Sequence, residues 1–194
     1  MPRGTTKRRP QTRARLLDAA MEVFAEQGFG GARIEDICDR AGYTRGAFYS
    51  NFGSKEELFL ALFDARMAVV VEQVVDRVDR AEPTVDGLVT ALLDYEHDRN
   101  WYLVSTEFTL HAIRNPQVAA HLAARDGWVR EQLLGVLGRL DWEPGTDLEA
   151  LVRMIVVIVE GAPAQSWVEP DRLPPGTLER RMLPLLLNAV RPSG

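Results

Sequence analysis

The sequence predicts an all-α protein, in which a small N-terminal domain of three helices precedes a larger helical domain. Apolar residues recur at spacings of three and four along most of the chain, and this is the period of a helix with one buried face. No segment shows the apolar–polar alternation that is typical of strands. Glycine and proline separate the periodic segments, so each segment is predicted to be one helix.

The first predicted helix runs from about Thr12 to Gly28. One stripe of apolar residues marks its buried face: Leu16, Ala20, Val23 and Phe24. Gly28 can adopt the left-handed conformation that ends a helix, and Phe29 can fold back against the preceding turn. Residues 1–11 are rich in arginine and lysine and are predicted to form a basic flexible arm.

A second and a third predicted helix are joined by a tight turn. The second helix runs from about Ile34 to Ala41, and its inner face includes Cys38 as a small core residue. Gly42 permits the reversal of the chain. The hydroxyl of Thr44 is suited to cap the third helix.

The third predicted helix has an aromatic side and a polar side. Phe48 and Phe52 lie one turn apart and are expected to face inward. Arg45 and Tyr49 form a neighbouring stripe that is open to a partner. Two buried rings are therefore expected to hold one polar face toward solvent.

The rest of the chain is predicted to be helical as well. Ser54 and Glu57 have the S-x-x-E spacing of a capping box, and they open a long fourth helix that extends towards Ala81. Further helices are predicted over residues 85–98, 101–114, 118–140, 148–165 and 178–190. Loops between them are marked by Pro83, Asn115-Pro116, Pro144-Gly145 and the proline-rich residues 170–176.

Charge is divided unevenly along the chain. The net formal charge is −5, yet residues 1–55 carry +4 and residues 56–194 carry −9. A basic end on an acidic body is what steering of one surface onto a polyanion requires. A basic tail that serves only solubility remains an alternative interpretation of the charge pattern alone.

Several other kinds of site and location are not predicted. The lone Cys38 excludes an internal disulfide, and no Cys/His spacing indicates a metal site. Neither a secretory signal nor an apolar run of about 20 residues, the length that spans a bilayer, is recognised. The sequence predicts a cytoplasmic protein without a cofactor.

The segment of residues 34–55 has the form of a helix-turn-helix. An α-helix fits the major groove of DNA, and the small residues Gly46 and Ala47 allow close approach of the backbone. Arg45 is positioned to contact guanine O6 and N7, a contact that discriminates against a wrong base by about 1–3 kcal/mol. Tyr49 and Lys55 are candidates for phosphate contacts.

These residues resemble the DNA-binding domain of the TetR family of bacterial regulators over about residues 12–58. The resemblance is carried by the end of the first helix at Gly28-Phe29, the run 37–42, residues 44–49, Phe52 and residues 54–58. This sequence departs from the family pattern at three positions, where it has Arg33, Ser50 and Asn51. The candidate DNA-contacting residues are Arg33, Thr44, Arg45, Gly46, Ala47, Tyr49, Ser50, Asn51 and Lys55.

The resemblance implies that residues 12–55 form the DNA-binding domain and that residues 56–194 form a helical domain for effector binding and dimerisation. It also implies a repressor that a small hydrophobic effector releases from a palindromic operator. Apolar and polar residues on the later helices are candidates for the effector site: Phe63, Met67, Trp101, Glu107, Phe108, His111, Trp128, Glu160, Gln165 and Trp167. The apolar residues among them can as easily fill a core, and a helical histidine is more often a surface or core residue than a ligand contact.

The last two predicted helices carry apolar stripes. The resemblance implies that these stripes form the seam of a homodimer, but they are also compatible with ordinary core. The candidate seam residues are Leu151, Met154, Ile155, Ile158, Leu183, Leu186, Leu187 and Val190. A two-fold dimer would place its recognition helices on half-sites about 34–36 Å apart.

Three alternative functions were weighed against this prediction. An enzyme is disfavoured because no nucleophile elbow, P-loop or HExxH spacing occurs. A helical protein-interaction module would not need the cations Arg45 and Lys55 on the same face. A regulator that binds DNA without an effector remains open, as does activation in place of repression.

Overall fold

A computed structural model describes residues 5–82, 84–93, 98–138 and 147–190, and these residues form nine α-helices and no strands. The helices are α1 Thr5–Gly31, α2 Ile34–Ala41, α3 Arg45–Tyr49, α4 Lys55–Arg80, α5 Val85–Leu93, α6 Arg99–Arg114, α7 Pro116–Leu137, α8 Leu148–Val168 and α9 Thr177–Ala189. The predicted all-α fold is confirmed. The loop markers Pro83 and Pro144-Gly145 lie outside the described residues, as do residues 94–97 and 139–140 of the helices predicted over 85–98 and 118–140. Asp98, the predicted end of the first of these helices, instead caps the start of α6.

The chain packs as two compact units. The first contains residues 1–67 and 98–125, and the second contains residues 68–97 and 126–194. The predicted division at residue 55 followed the helix-turn-helix motif, whereas the first unit also includes the start of α4, all of α6 and part of α7. These segments are distant in sequence, so periodicity does not reveal that they share one core.

Aromatic rings dominate the core of the first unit. Phe59 of α4 stacks on Phe108 of α6 with ring centroids 3.6 Å apart, and Phe29 meets Phe108 edge-on at 5.0 Å. Trp101 lies parallel to Phe59 at 6.3 Å. Because each buried ring removes a large apolar area from water, this cluster fixes the helix-turn-helix onto α4 and α6.

Aliphatic residues form the core of the second unit. Leu151 of α8 and Leu183 and Leu187 of α9 are completely buried. By length and composition alone, α8 is apolar enough to cross a membrane. One face of α8, with Leu151, Val152 and Ile155, is buried in this core, whereas Val157 and Val168 on the same helix are exposed.

Gly28 ends the first helical segment of α1, and a kink at this residue joins that segment to a second, short one. Its φ of 73° is positive as predicted, but its ψ of 159° lies outside the left-handed helical region. The chain then makes one further helical turn to Gly31. Phe29 is buried against Phe24 with ring centroids 5.4 Å apart, and its N–H donates to the carboxylate of Glu107 at 2.7 Å. Gly28 therefore ends the long segment of α1, and Phe29 folds back against that segment, as predicted.

Candidate nucleic-acid interface

The turn before α3 has the predicted conformation. Gly42 adopts the left-handed region with φ 72° and ψ 32°, which only glycine adopts readily. The N–H of Tyr43 then donates to the carbonyl of Cys38 at 2.9 Å. Thr44 caps α3, because its Oγ1 accepts a hydrogen bond from the N–H of Ala47 at 3.3 Å. Local sequence signals thus set both the reversal and the start of α3.

Two rings hold α3 from behind. Phe48 and Phe52 are buried, with ring centroids 5.9 Å apart, as predicted. On the opposite side, 59% of the Arg45 side chain and 50% of Tyr49 are exposed. Beside them, a side chain at Gly46 would meet no atom closer than 3.7 Å. The backbone of α3 is therefore open to a partner at this point.

Arg45 has two partners on its own surface. Its Nη1 lies 2.7 Å from Oε1 of Glu35 on α2, and its Nη2 lies 3.5 Å from the hydroxyl of Tyr49. These contacts raise the pKa of Arg45, with the Tyr49 hydrogen bond as the largest cause and the Glu35 charge as the next. The sequence did not indicate the Glu35 contact, because it joins two helices across the turn.

Ser50 and Asn51 fold back onto their own helix. The hydroxyl of Ser50 and the amide Nδ2 of Asn51 both donate to the carbonyl of Ala47, each at 2.8 Å. The Oδ1 atom of Asn51 is buried without a hydrogen-bond partner among the described residues. A DNA contact by the donors of these two side chains would compete with bonds that they already make.

Two arginines of α1 lie against the C-terminal end of α3. Arg9 donates to the carbonyl of Ser50 at 3.4 Å, and Arg13 donates to that of Asn51 at 3.3 Å. The Arg13 guanidinium also lies 4.4 Å from the centre of the Phe52 ring. Residues 5–11 belong to α1, so the part of the predicted flexible arm that the structure describes is helical. The four-residue spacing of Arg9 and Arg13 was the signal in the sequence for one shared helix face.

Lys55 closes the end of α1. Its Nζ donates to the carbonyl oxygens of Phe29 at 2.6 Å and of Ala32 at 2.9 Å, and it lies 4.6 Å from the centre of the Phe29 ring. Desolvation lowers the pKa of Lys55. Two of its three N–H donors are thus engaged, and no hydrogen-bond partner of the third occurs among the described residues. Arg33 is exposed at the start of α2, and its backbone N–H contacts the carboxylate of Asp36.

Six of the candidate effector residues belong to the first unit. Four of them are apolar and pack in its core: Phe63, Met67, Trp101 and Phe108. Glu107 accepts the hydrogen bond from Phe29, and the His111 ring packs 4.8 Å from the Phe29 ring. The Nε2 atom of His111 also lies 3.7 Å from Oε1 of Glu56. All six residues thus make packing, hydrogen-bond or ion-pair contacts within the first unit. A structural role explains these contacts without an effector.

The other four candidate effector residues belong to the second unit: Trp128, Glu160, Gln165 and Trp167. Trp128 is 43% exposed. Desolvation, followed by the charge of Asp126, raises the pKa of Glu160. Desolvation also raises the pKa of Asp126.

A small cleft lies elsewhere in the second unit, and none of the ten candidate effector residues lines it. The cleft encloses about 260 Å³, part of it open to solvent. Its lining consists only of aliphatic side chains from α4, α5, α7 and α8: Val74, Leu88, Leu92, Leu133, Val136, Leu137, Val152 and Ile155. An aliphatic lining of this kind has no signal in the sequence that distinguishes it from ordinary core.

The candidate dimer residues divide into two groups. Four of them are buried in the core of their own chain, at 0–4% exposure, and this corrects their placement on a seam: Leu151, Ile155, Leu183 and Leu187. The remaining four are partly or fully exposed: Met154, Ile158, Leu186 and Val190. Apart from Val168 at the C-terminal end of α8, which is 80% exposed, the most exposed apolar residues of these helices are Val157 on α8, at 68%, and Leu185 on α9, at 71%. With Met154 and Met182, at 39% and 44%, they form an apolar face that periodicity alone did not distinguish from the core face.

Two family models match the chain in succession. Residues 16–62 match the model described as bacterial regulatory proteins, tetR family. Residues 66–187 match the model described as BetI-type transcriptional repressor, C-terminal. The two matches cover the helix-turn-helix and most of the remaining helices.

Characterised relatives are similar over most of the chain. The HTH-type transcriptional activator FasR of Mycolicibacterium smegmatis is 31% identical over 182 residues, which cover 88% of this chain and 78% of FasR. The HTH-type transcriptional repressor AcnR of Corynebacterium glutamicum is 28% identical, over 77% of this chain and 79% of AcnR. Among solved structures, Salmonella enterica GusR superposes with a TM-score of 0.68 at 27% identity and covers 92% of this chain and 96% of GusR.

Proposed function

Because this chain belongs to the TetR family of bacterial regulatory proteins, we propose that it represses transcription and that a small aliphatic effector releases it from DNA. It is a DNA-binding transcription regulator with an N-terminal helix-turn-helix. Its relatives are transcription regulators. Its place of action is the cytoplasm, where bacterial DNA is accessible.

The observation that carries the DNA-binding role is the construction of α3. Arg45 and Tyr49 are exposed on one side, while Phe48 and Phe52 are buried on the other. We assign base contacts to Arg45 and phosphate contacts to Tyr49 and to the third N–H donor of Lys55. The remaining predicted contacts, from Arg33, Thr44, Gly46, Ala47, Ser50 and Asn51, belong to the same proposed surface.

Arg9 and Arg13 extend this surface on the side of α1. They lie beside the carbonyl groups at the C-terminal end of α3 and add positive charge next to the proposed groove contact. Because phosphate contacts dominate the affinity of such interfaces, the two arginines are expected to strengthen binding to every duplex.

Repression is favoured over activation by the match of residues 66–187 to the C-terminal part of BetI-type repressors. The relative FasR is named an activator. A separate experiment must therefore test whether this chain represses or activates transcription. Deletion of the gene should raise transcription of the genes nearest the bound site. A fall in their transcription would assign activation instead.

We place the effector in the aliphatic cleft of the second unit. Its eight lining residues offer no polar side chain, so it suits an alkyl group better than an aromatic ring or a charged group. The volume of about 260 Å³ includes space that is open to solvent, so the cleft must widen around an alkyl chain before it reaches the usual size of a ligand site, about 300–1,000 Å³. Effector binding must discriminate strongly between two states of the protein, since a nearly complete switch requires about 5.5 kcal/mol of differential affinity.

A homodimer completes the proposal. The apolar face with Met154, Val157, Met182 and Leu185 is suited to pair with the same face of a second copy. A two-fold dimer of this kind would bind a palindrome with half-sites about 34–36 Å apart.

Mapping of bound DNA across the genome, followed by gel-shift titration of the full chain, tests the DNA-binding proposal. We expect a small number of palindromic sites, with affinity for them at least about 10³-fold above that for unrelated duplex. Equal affinity for all duplexes would refute the operator proposal.

Thermal unfolding with octanol, octanoate and benzyl alcohol tests the effector site. Octanol should raise the unfolding temperature because it binds only the folded chain. A response to benzyl alcohol alone would refute the aliphatic assignment.

A further inference from the structure

Glu35 is an acidic residue on the face that binds DNA. It lies in the first turn of α2, and its Oε1 is 2.7 Å from Nη1 of Arg45 at the start of α3. The Glu35 side chain is 48% exposed and that of Arg45 is 59% exposed. A carboxylate at this position repels the phosphates of a duplex, so its presence next to the recognition helix calls for an explanation.

The geometry of the pair leaves Arg45 competent to contact a base. A guanidinium has five N–H donors in a planar fork, and Glu35 engages Nη1 while the Tyr49 hydroxyl lies 3.5 Å from Nη2. No hydrogen bond from the other donors reaches a described residue. Held at two points, the long side chain has fewer conformations to lose when it meets guanine O6 and N7.

The ion pair with Glu35 also hinders Arg45 from contacting a phosphate instead of a base. A free arginine at the edge of a groove can swing onto a phosphate, where it adds affinity for every sequence. An arginine bound to a carboxylate must break that contact first. Glu35 therefore opposes non-specific binding in two ways, by holding Arg45 away from phosphates and by its own negative charge.

We propose that Glu35 is a positioning residue for base recognition, which directs Arg45 to a base edge and reduces the affinity of the chain for unrelated DNA. This inference rests on the proposed base contact of Arg45. It adds a residue of α2, outside the recognition helix, to those that determine sequence specificity.

The test compares Glu35→Gln with the unchanged chain on the operator, on operators with each base of the half-site replaced, and on unrelated duplex. The variant should bind unrelated duplex about threefold or more tightly, with a salt slope steeper by about one unit. Its preference at the base that Arg45 reads should fall by about threefold or more, since Arg45 is no longer restrained. Thermal unfolding should be almost unchanged, because the pair is exposed.

Asp39→Asn is the matched control. It removes the same charge from an exposed position of α2 and leaves the contact between Glu35 and Arg45 in place. Base preference should be unchanged in this variant. If Asp39→Asn reproduces the loss of base preference, general charge explains the effect and the inference is wrong.

The Arg45→Ala background separates the inference from the function on which it rests. If Arg45→Ala abolishes the preference at one base and Glu35→Gln then has no further effect on that preference, the proposal is supported. If Arg45→Ala abolishes it but Glu35→Gln alone leaves base preference and salt slope unchanged, only the role of Glu35 is refuted. If Arg45→Ala changes no base preference, the proposed base contact itself fails.

Discussion

The ammonium group of Lys55 is hydrogen-bonded to the carbonyl oxygen of Phe29 at 2.6 Å. Through this bond the first residue of α4 caps the end of α1, and a second bond to Ala32 at 2.9 Å reinforces the cap. Carbonyls at a helix end lack partners within the helix, so a cation is favourable there. Lys55 therefore has a structural role in addition to its proposed phosphate contact.

Replacement of Lys55 by methionine should lower stability. The change leaves the carbonyls of Phe29 and Ala32 without their donor, and we expect a loss of about 1–3 kcal/mol in the free energy of unfolding. Urea denaturation measures the loss. Arg45→Ala is the comparison, since this exposed side chain should affect stability by less than about 0.5 kcal/mol. Equal stability of the Lys55 variant and the unchanged chain would show that the cap contributes nothing.

Neighbouring aromatic residues of α3 should respond in opposite ways. Phe48→Ala should destabilise the chain by about 3–5 kcal/mol, because Phe48 is completely buried. Tyr49→Ala should leave the unfolding temperature almost unchanged, because the ring is 50% exposed, and should weaken binding to every duplex. Calorimetry and gel-shift titration on both variants test this contrast, which fails if Tyr49→Ala retains full affinity.

Filling the aliphatic cleft should abolish the response to octanol. Val152 lines the cleft, and Val152→Phe would occupy its space at a cost in stability of about 1–3 kcal/mol. Val69→Phe adds the same bulk at a position of the second unit that is 48% exposed and should leave the octanol-induced rise in unfolding temperature intact. A rise that persists in the Val152 variant would place the effector elsewhere.

A charge on the apolar face of α9 should disrupt the proposed dimer. Leu185 is 71% exposed, so Leu185→Glu should not unfold the chain but should oppose pairing of two like faces. Sedimentation velocity should then show a monomer, with loss of binding to the palindrome. Ile113→Glu, at a position in the first unit that is 72% exposed, is the control and should remain dimeric. A monomeric unchanged chain would contradict the prediction at the outset.

Glu160 should make stability depend on pH. Desolvation and nearby Asp126 raise its pKa in the folded chain, so the folded state holds the Glu160 proton more tightly than the unfolded state does. Its contribution to stability is therefore lost as pH rises from the ordinary glutamate pKa of about 4.3 through the raised folded value. Glu160→Gln should be more stable than the unchanged chain at neutral pH, and the difference should vanish in acid. The same difference in the free energy of unfolding between Glu160→Gln and the unchanged chain, at neutral and at acidic pH, would contradict this prediction.

Local signals in the sequence were sufficient to predict the helix-turn-helix. Gly42, Thr44 and the pair Phe48 and Phe52 act within a few residues of their own positions, and the structure places all four as predicted. The helix period also identified the later helices, since each buries one face.

Contacts between distant segments were not predictable in this way. Glu107 was selected as an effector residue because it is polar and close to aromatic residues, but its partner is the N–H of Phe29, 78 positions away. Likewise, the apolar residues of α9 predict that this helix buries one face. Their spacing does not show which of them point into the core. Leu183 is buried and Leu185 is exposed, although the two are separated by one residue.

The contact between Glu107 and the backbone at Gly28 restricts how this chain can change during evolution. A methyl group at position 28 would lie 2.5 Å from Oε2 of Glu107, and the positive φ of 73° disfavours any side chain there. A larger residue at position 28 would therefore push the flexible Glu107 side chain aside and break its hydrogen bond to the N–H of Phe29. Glycine at this position thus preserves a link between α1 and α6.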